Sequence, residues 1–304
     1  GLVIAQRDGV EAVAGGLGAD GCWEAALARH AVVAMGRLGG REIGYASDAD
    51  VLFVHEARDG ADDAAAAQEA EAVAKQVVGL LASARPHPLE VDSDLRPEGR
   101  QGVMSRSLAA YGEYYGRWAA LWERQALLRA RACAGDRELG GRFEELINPL
   151  RWAEGGLSTQ DLREIRRIKA RVETERLPRG INPVRHLKLG PGGLSDVEWS
   201  AQVLQLAHAG QITGLRTTST IAALQAAVQG GLLSADDGGV LVAAWILASR
   251  LRCAIVLGTG RASGPRSQVL PVQIREIRLV GRLIGLGSGR ERELEDLYRR
   301  SARH

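Results

Sequence analysis

The sequence predicts an α+β protein in two parts: short strands with helices over residues 1–150, then an all-helical domain over residues 151–304. Three observations carry this. Two apolar runs inside residues 32–55, separated by glycines, read as strand, turn and strand. Alanine, valine and leucine at helical spacing over residues 64–84 read as a helix that covers them. Beyond Ser158 nearly every apolar segment has helical spacing, with capping residues or glycine pairs between segments.

Composition narrows the function classes. A chain of 304 residues is long enough for two ordinary domains, and 45% hydrophobic with 25% charged residues is a globular balance. A net charge of +2 gives no field for nucleic acid, and 4% aromatic residues leave little surface for base stacking, so no nucleic-acid partner is expected. No apolar run reaches the length of a membrane span and no signal peptide is evident, so no membrane partner is expected either. Cys22, Cys133 and Cys253 have no metal-ligand spacing, and such a count fits a reducing cytoplasm. The chain opens at Gly1, without an initiator Met and straight into a helical pattern, which predicts a fragment excised from something longer.

In order, residues 3–30 read as one or two helices interrupted at Gly15, Gly16 and Gly18. The stretch 32–55 follows. It breaks at Gly36, turns through Gly39 and Gly40, and enters the β-branched and aromatic run Val51, Leu52, Phe53 and Val54 behind Ser47, Asp48, Ala49 and Asp50. If Asp48 and Asp50 begin that strand, its period of two puts both carboxylates on one face. Two adjacent carboxylates repel unless a cation lies between them, and oxygen-only ligands favour a hard ion such as Mg²⁺. A glycine turn beside them lets backbone N–H groups approach a phosphate chain. An Asp-x-Asp pair alone is common in turns, where Asp caps its own backbone. With the turn and the strand beside it, the pair points to a metal-assisted phosphate site.

Pro86 and Pro88 end the 64–84 helix, and residues 89–95 alternate apolar and polar as a half-buried strand does. Asp92 and Asp94 share its polar face, and either can supply a third carboxylate as metal ligand or general base. A helix-rich region then begins near Ser107. Tyr111, Tyr115, Trp118 and Trp122 fall at helical spacing, a stripe expected to pack, and Glu123 to Arg131 continue on the same or a following helix. Arg129 and Arg131 could reach phosphates, although a solvated helix face is the default for such charges.

In the second half, Ser158 and Thr159 cap a basic helix to Leu177 that Pro178 and Gly180 stop. Gly190, Pro191, Gly192 and Gly193 turn into a helix with Ser195 as N-cap and with Asp196 and Glu198 in its first turn, where acids suit the helix dipole. Four more helices are expected, at about 219–229, 235–257, 272–286 and 290–303.

These segments resemble a known family. Gly36, Arg37, Leu38, Gly39, Gly40, Arg41, Glu42 and Ile43, followed by Ser47, Asp48, Ala49 and Asp50, are similar to the signature of glutamine synthetase adenylyltransferases, within the polymerase-β-like nucleotidyltransferase superfamily. Val91 and Asp92 with Leu95, Arg96, Pro97 and Gly99 resemble the family's second strand. The run Trp122 to Leu127 with Arg129 and Arg131, and the run Lys188 to Glu198, match two further blocks.

The resemblance implies a polymerase-β-like nucleotidyltransferase domain, a small mixed sheet with helices, followed by an all-helical bundle. It implies transfer of AMP from ATP to a tyrosine of glutamine synthetase, with Asp48, Asp50 and Asp92 holding two Mg²⁺ ions and Asp92 helping to deprotonate the tyrosine. Gly36, Arg37, Gly39, Gly40 and Ser47 would cradle the phosphates, with Gly36 and Arg37 better spaced for this than Gly39 and Gly40. Arg129 would add a phosphate contact. Asp94 stands where the family has an arginine, and it competes with Asp92 for the third-carboxylate role. The charged final helix favours the adenylylating, C-terminal half of a bifunctional enzyme. The alternatives are the half that removes AMP by phosphorolysis, giving ADP, and a silent regulatory nucleotide-binding module. A PII-type signal protein would act through the full-length enzyme.

Overall fold

The computed structural model describes residues 26–45, 47–85, 88–261, 264–287, 289–290 and 293–302. The helices expected at the start of the chain fall mostly outside these residues. Where that region enters the described part it is a strand, because β1 (Ala28–Ala34) already includes Ala28, Arg29 and His30. The chain divides into two compact units, residues 1–42 with 48–151, and residues 43–47 with 152–304.

The first unit is built on a mixed sheet. β1 pairs antiparallel with β2 (Ala49–Ala57), Ala34 opposite Val51, and on its other side with β5 (Arg131–Gly135) across an irregularity at Val32 and Val33. The free edge of β2 pairs in parallel with two short strands in succession, β3 (Val91–Asp92) and β4 (Ser105–Ser107). A helical turn, α1 (Gly36–Gly39), joins β1 to β2.

The period of two along β2 sorts its residues between two layers. Leu52 and Val54 join Val33, Tyr111, Phe143 and Ile147 in a core beneath α3 (Leu108–Trp118), α4 (Leu121–Leu127) and α5 (Arg137–Arg151). Val51 and Phe53 face the opposite way and pack on Ala74, Val77 and Val78 of α2 (Asp63–Ser83). Asp62 caps α2 by accepting from Ala65 N–H at 2.8 Å.

Three local expectations change. The alternating stretch 89–95 is paired only at Val91 and Asp92, because the chain turns at Ser93 and Asp94 and Arg96 folds back over that turn. The aromatic stripe splits. Tyr111 and Tyr115 are buried, whereas Trp118 and Trp122 are 70% and 42% exposed because the helix ends at Trp118 and restarts at Leu121. Glu123 accepts from Ala120 N–H and from the Tyr114 hydroxyl, which anchors the restart. The helix does not run on to Arg131, which begins β5 instead.

The second unit is helical among the described residues: α6 (Thr159–Arg176), α7 (Leu194–His208), α8 (Thr220–Gln229), α9 (Ala235–Thr259), α10 (Ile274–Leu283) and α11 (Glu293–Ser301). Ser158, Ser219 and Ser234 cap α6, α8 and α9 through their side chains. Ser195 is not a cap. The helix starts two residues sooner than such a cap implies, at Leu194 behind Gly193, with no side-chain cap, and Asp196 in its first turn accepts Gly192 N–H at 2.7 Å, which ties the preceding turn to the helix. Lys169 of α6 donates to Asp196 at 2.6 Å and pairs with Glu173, which takes one charge off the basic face of α6.

Against expectation, one helix, α9, is long and apolar enough to cross a membrane by length and composition. In this structure it is a core helix: Trp245, Leu251 and Ile255 lie in the main cluster with Leu187, Leu194, Leu224 and Val280.

Candidate active site

The sheet register assembles the acids. β2 and β3 are parallel with Asp50 directly beside Asp92, and Asp48 lies two residues before Asp50 along the chain that becomes β2. Ligand oxygens of Asp48, Asp50 and Asp92 lie within 4.8 Å of one another, and the group is half-buried to exposed. Oxygens sharing a Mg²⁺ sit about 2.1 Å from it and so stand about 3–4 Å apart. With no sulfur or nitrogen donor in the group, the chemistry suits a hard divalent cation.

The register also separates Asp92 from Asp94. An Asp92 carboxylate oxygen accepts the N–H of Asp94 at 2.7 Å, which fixes the Asp92 side chain in the cluster. The Asp94 carboxylate instead pairs with Arg100 at 2.7 Å and lies 3.8 Å from Arg96. Arg96 is buried and donates to the Ser93 carbonyl and hydroxyl and to the Gly102 carbonyl, so it holds the loop that follows Asp92.

The glycine turn touches the acids through sterics. Gly36 has φ +47°, and a Cβ there would collide with Oδ2 of Asp50 and lie 3.0 Å from its Cγ. Only glycine accepts both conditions without strain. Met35 N–H donates to the Asp50 carbonyl at 2.8 Å, which ties the turn to the start of β2. The N–H groups of Gly39 and Gly40 donate to the Met35 and Gly36 carbonyls inside the turn, at 2.7 and 3.2 Å. Gly39 thus has a packing role: a Cβ there would strike the Arg129 carbonyl, 2.9 Å from its carbon.

The remaining candidates sit as follows. Arg37 Nε donates to the Glu42 carbonyl at 3.0 Å. Arg129 is buried and pairs with Glu42 at 3.0 Å. Ser47 belongs to the 43–47 segment grouped with the helical unit, where its N–H donates to the Gly44 carbonyl at 3.2 Å. Arg131, whose pKa burial lowers, donates to the Gly39 carbonyl at 3.1 Å.

Sequence reasoning missed Glu42, Arg96 and the buried pair of His55 Nδ1 with the Ser105 hydroxyl at 2.9 Å. Glu42 and Arg96 both stand inside motif blocks, so an ionisable residue within a motif was the available signal. Nothing local marks Ser105 as the partner of His55.

A mixed sheet with three acids gathered at adjoining strands, in a chain that continues into a helical unit, defines a nucleotidyltransferase-type protein. Residues 18–146 match the family model of glutamate-ammonia ligase adenylyltransferase, and residues 163–304 match that of GlnD PII-uridylyltransferase. The bifunctional glutamine synthetase adenylyltransferase/adenylyl-removing enzyme of Streptomyces coelicolor is 54% identical over 277 residues, 90% of this chain. The enzymes of the same name from Streptomyces avermitilis and Mycobacterium avium are 53% and 49% identical, each over 90% of the chain. This chain is therefore a relative of those bifunctional enzymes, and it spans 27% of the length of each.

Proposed function

We propose that this chain transfers AMP from ATP to a tyrosine hydroxyl of glutamine synthetase, releasing pyrophosphate. The observation that carries the reading is the juxtaposition of Asp50 and Asp92 on adjoining parallel strands with Asp48 just before the first of them, in a chain whose relatives are named for this transfer. Asp48, Asp50 and Asp92 would hold two Mg²⁺ ions, which supply charge neutralisation for the triphosphate and electrophilic activation of its α-phosphorus. Asp92, held by the Asp94 N–H, would accept the tyrosine proton. The bond from tyrosine oxygen to phosphorus forms as the bond to pyrophosphate breaks, and the proton passes from Asp92 to solvent. The turn from Gly36 through Arg37, Gly39 and Gly40 would border the triphosphate.

The names of the relatives also include adenylyl removal, which supports a second reading in which the same carboxylates serve phosphorolysis and release ADP. A PII-type signal protein as regulatory partner is supported by the match of residues 163–304 to a PII-uridylyltransferase family.

The test is label transfer from ATP carrying the label on its α-phosphate to purified, unmodified glutamine synthetase in Mg²⁺. Label on the synthetase that Asp50→Asn abolishes supports adenylylation. No transfer, with ADP released from adenylylated synthetase and phosphate, moves the assignment to the removing reaction. Silence in both overturns the enzymatic reading.

A further inference from the structure

The sequence offers Arg129 as a phosphate contact, but its surroundings give it another task. Its side chain and that of Glu42 are only 6% and 7% exposed and meet at 3.0 Å. Glu42 is fastened to the glycine turn at both backbone ends. Its N–H donates to the Arg37 carbonyl at 2.8 Å, and its carbonyl accepts Arg37 Nε at 3.0 Å. The Arg129 carbonyl fills the space beside Gly39 that a side chain would need. Arg131, two residues on, donates to the Gly39 carbonyl at 3.1 Å and to that of Leu38 at 3.4 Å. The turn is thus bound to residues 129–131 by one buried ion pair, one close backbone approach and one bridging guanidinium. Its opposite side is Gly36, pressed against the Asp50 carboxylate.

We propose that Glu42 and Arg129 are a positioning pair for the metal site: they hold the Gly36–Gly39 turn where it fixes the Asp50 carboxylate. The proposal rests on the metal-site reading above. Neutralising either partner removes the buried ion pair that joins the turn to residues 129–131, and the turn is then free to move. Movement at Gly36 withdraws the backbone that abuts the Asp50 carboxylate and lets that ligand shift within the cluster. Loss of such outer support at metal sites weakens affinity by roughly 10–100-fold.

The test is Mn²⁺ binding to the whole chain without nucleotide, followed by electron paramagnetic resonance, with thermal unfolding recorded on each variant. Glu42→Gln and Arg129→Gln should each weaken Mn²⁺ binding by about tenfold or more. The double variant should be no weaker than the worse single one, because a pair can be lost only once. Phe143→Leu, a core change in the same unit, should lower the unfolding temperature and leave Mn²⁺ affinity intact. The proposal is overturned if Arg129→Gln binds Mn²⁺ as the parent does and loses only ATP affinity, which is the signature of a phosphate ligand. It is equally overturned if Phe143→Leu weakens Mn²⁺ as much as Glu42→Gln does. Failure of the parent chain to bind Mn²⁺, or full binding by Asp50→Asn, would instead remove the metal-site reading on which the pair depends.

Discussion

A Cβ on Gly36 would fall on Oδ2 of Asp50. This single relationship ties the glycine turn to the acidic cluster, and it makes the turn a wall of the site as well as a connection between strands. Gly36→Ala should therefore act twice. The left-handed backbone at φ +47° strains by about 1–2 kcal/mol with a non-glycine residue, and the methyl group displaces the carboxylate. Transfer should fall by about a hundredfold or more, while the unfolding temperature drops by only several degrees. Parallel label-transfer and thermal-unfolding measurements check this, and wild-type transfer by the alanine variant would detach the turn from the site.

Asp92 and Asp94 are distinguished by their partners. Asp92→Asn should remove transfer almost completely, since it loses a ligand and the proton acceptor together. Asp94→Asn breaks a pair with the exposed Arg100 and keeps the backbone N–H that holds Asp92, so transfer should stay within a few-fold of the parent. A reversed order in the same assay would exchange the two roles.

Acid should weaken the helical unit through His186. Its Nδ1 accepts from the N–H groups of Lys188 and Leu189 at 3.3 and 3.0 Å, which requires a neutral nitrogen. Burial lowers the folded pKa below the ordinary 6.5. The unfolded chain therefore binds the proton more readily, and stability is full above about pH 6.5 and falls as pH drops below it. His30 and His55, also lowered by burial, add to the same slope from the other unit. Urea unfolding at pH 7.5 and pH 5.5 should show the loss, and His186→Gln should flatten part of it.

The long apolar helix α9 can be tested as a core element. Leu251 is fully buried, and Leu251→Ala should cost about 2–5 kcal/mol by urea unfolding. Leu257, on the same helix and 56% exposed, should cost well under 1 kcal/mol when changed to Ala. Equal, small effects at both positions would mean that the helix is not held by this core.

What was legible in the sequence was local. Asp48 and Asp50 are two residues apart ahead of a β-branched run, so they are near neighbours by sequence alone, although only Asp50 enters β2, which begins at Ala49. Ser158, Ser219 and Ser234 each stand a few residues from the N–H they cap, so the helix starts at Thr159, Thr220 and Ala235 could be placed by spacing. What only the tertiary structure decided depends on partners far along the chain. Asp92 rather than Asp94 joins the cluster because parallel pairing sets Asp92 beside Asp50, forty-two residues away, and because the chain turns before Asp94 can follow. Arg129 reads as a cation on a solvated helix face until Glu42, 87 residues distant, is folded against it. Residues 131–135 form a strand on the edge that β1 offers, beyond a turn that ends the helix, and Arg131 then reaches the Gly39 carbonyl. Spacing fixes what neighbours in sequence can do to one another, whereas sheet register and buried ion pairs are choices among distant partners, made by the free energy of the whole fold.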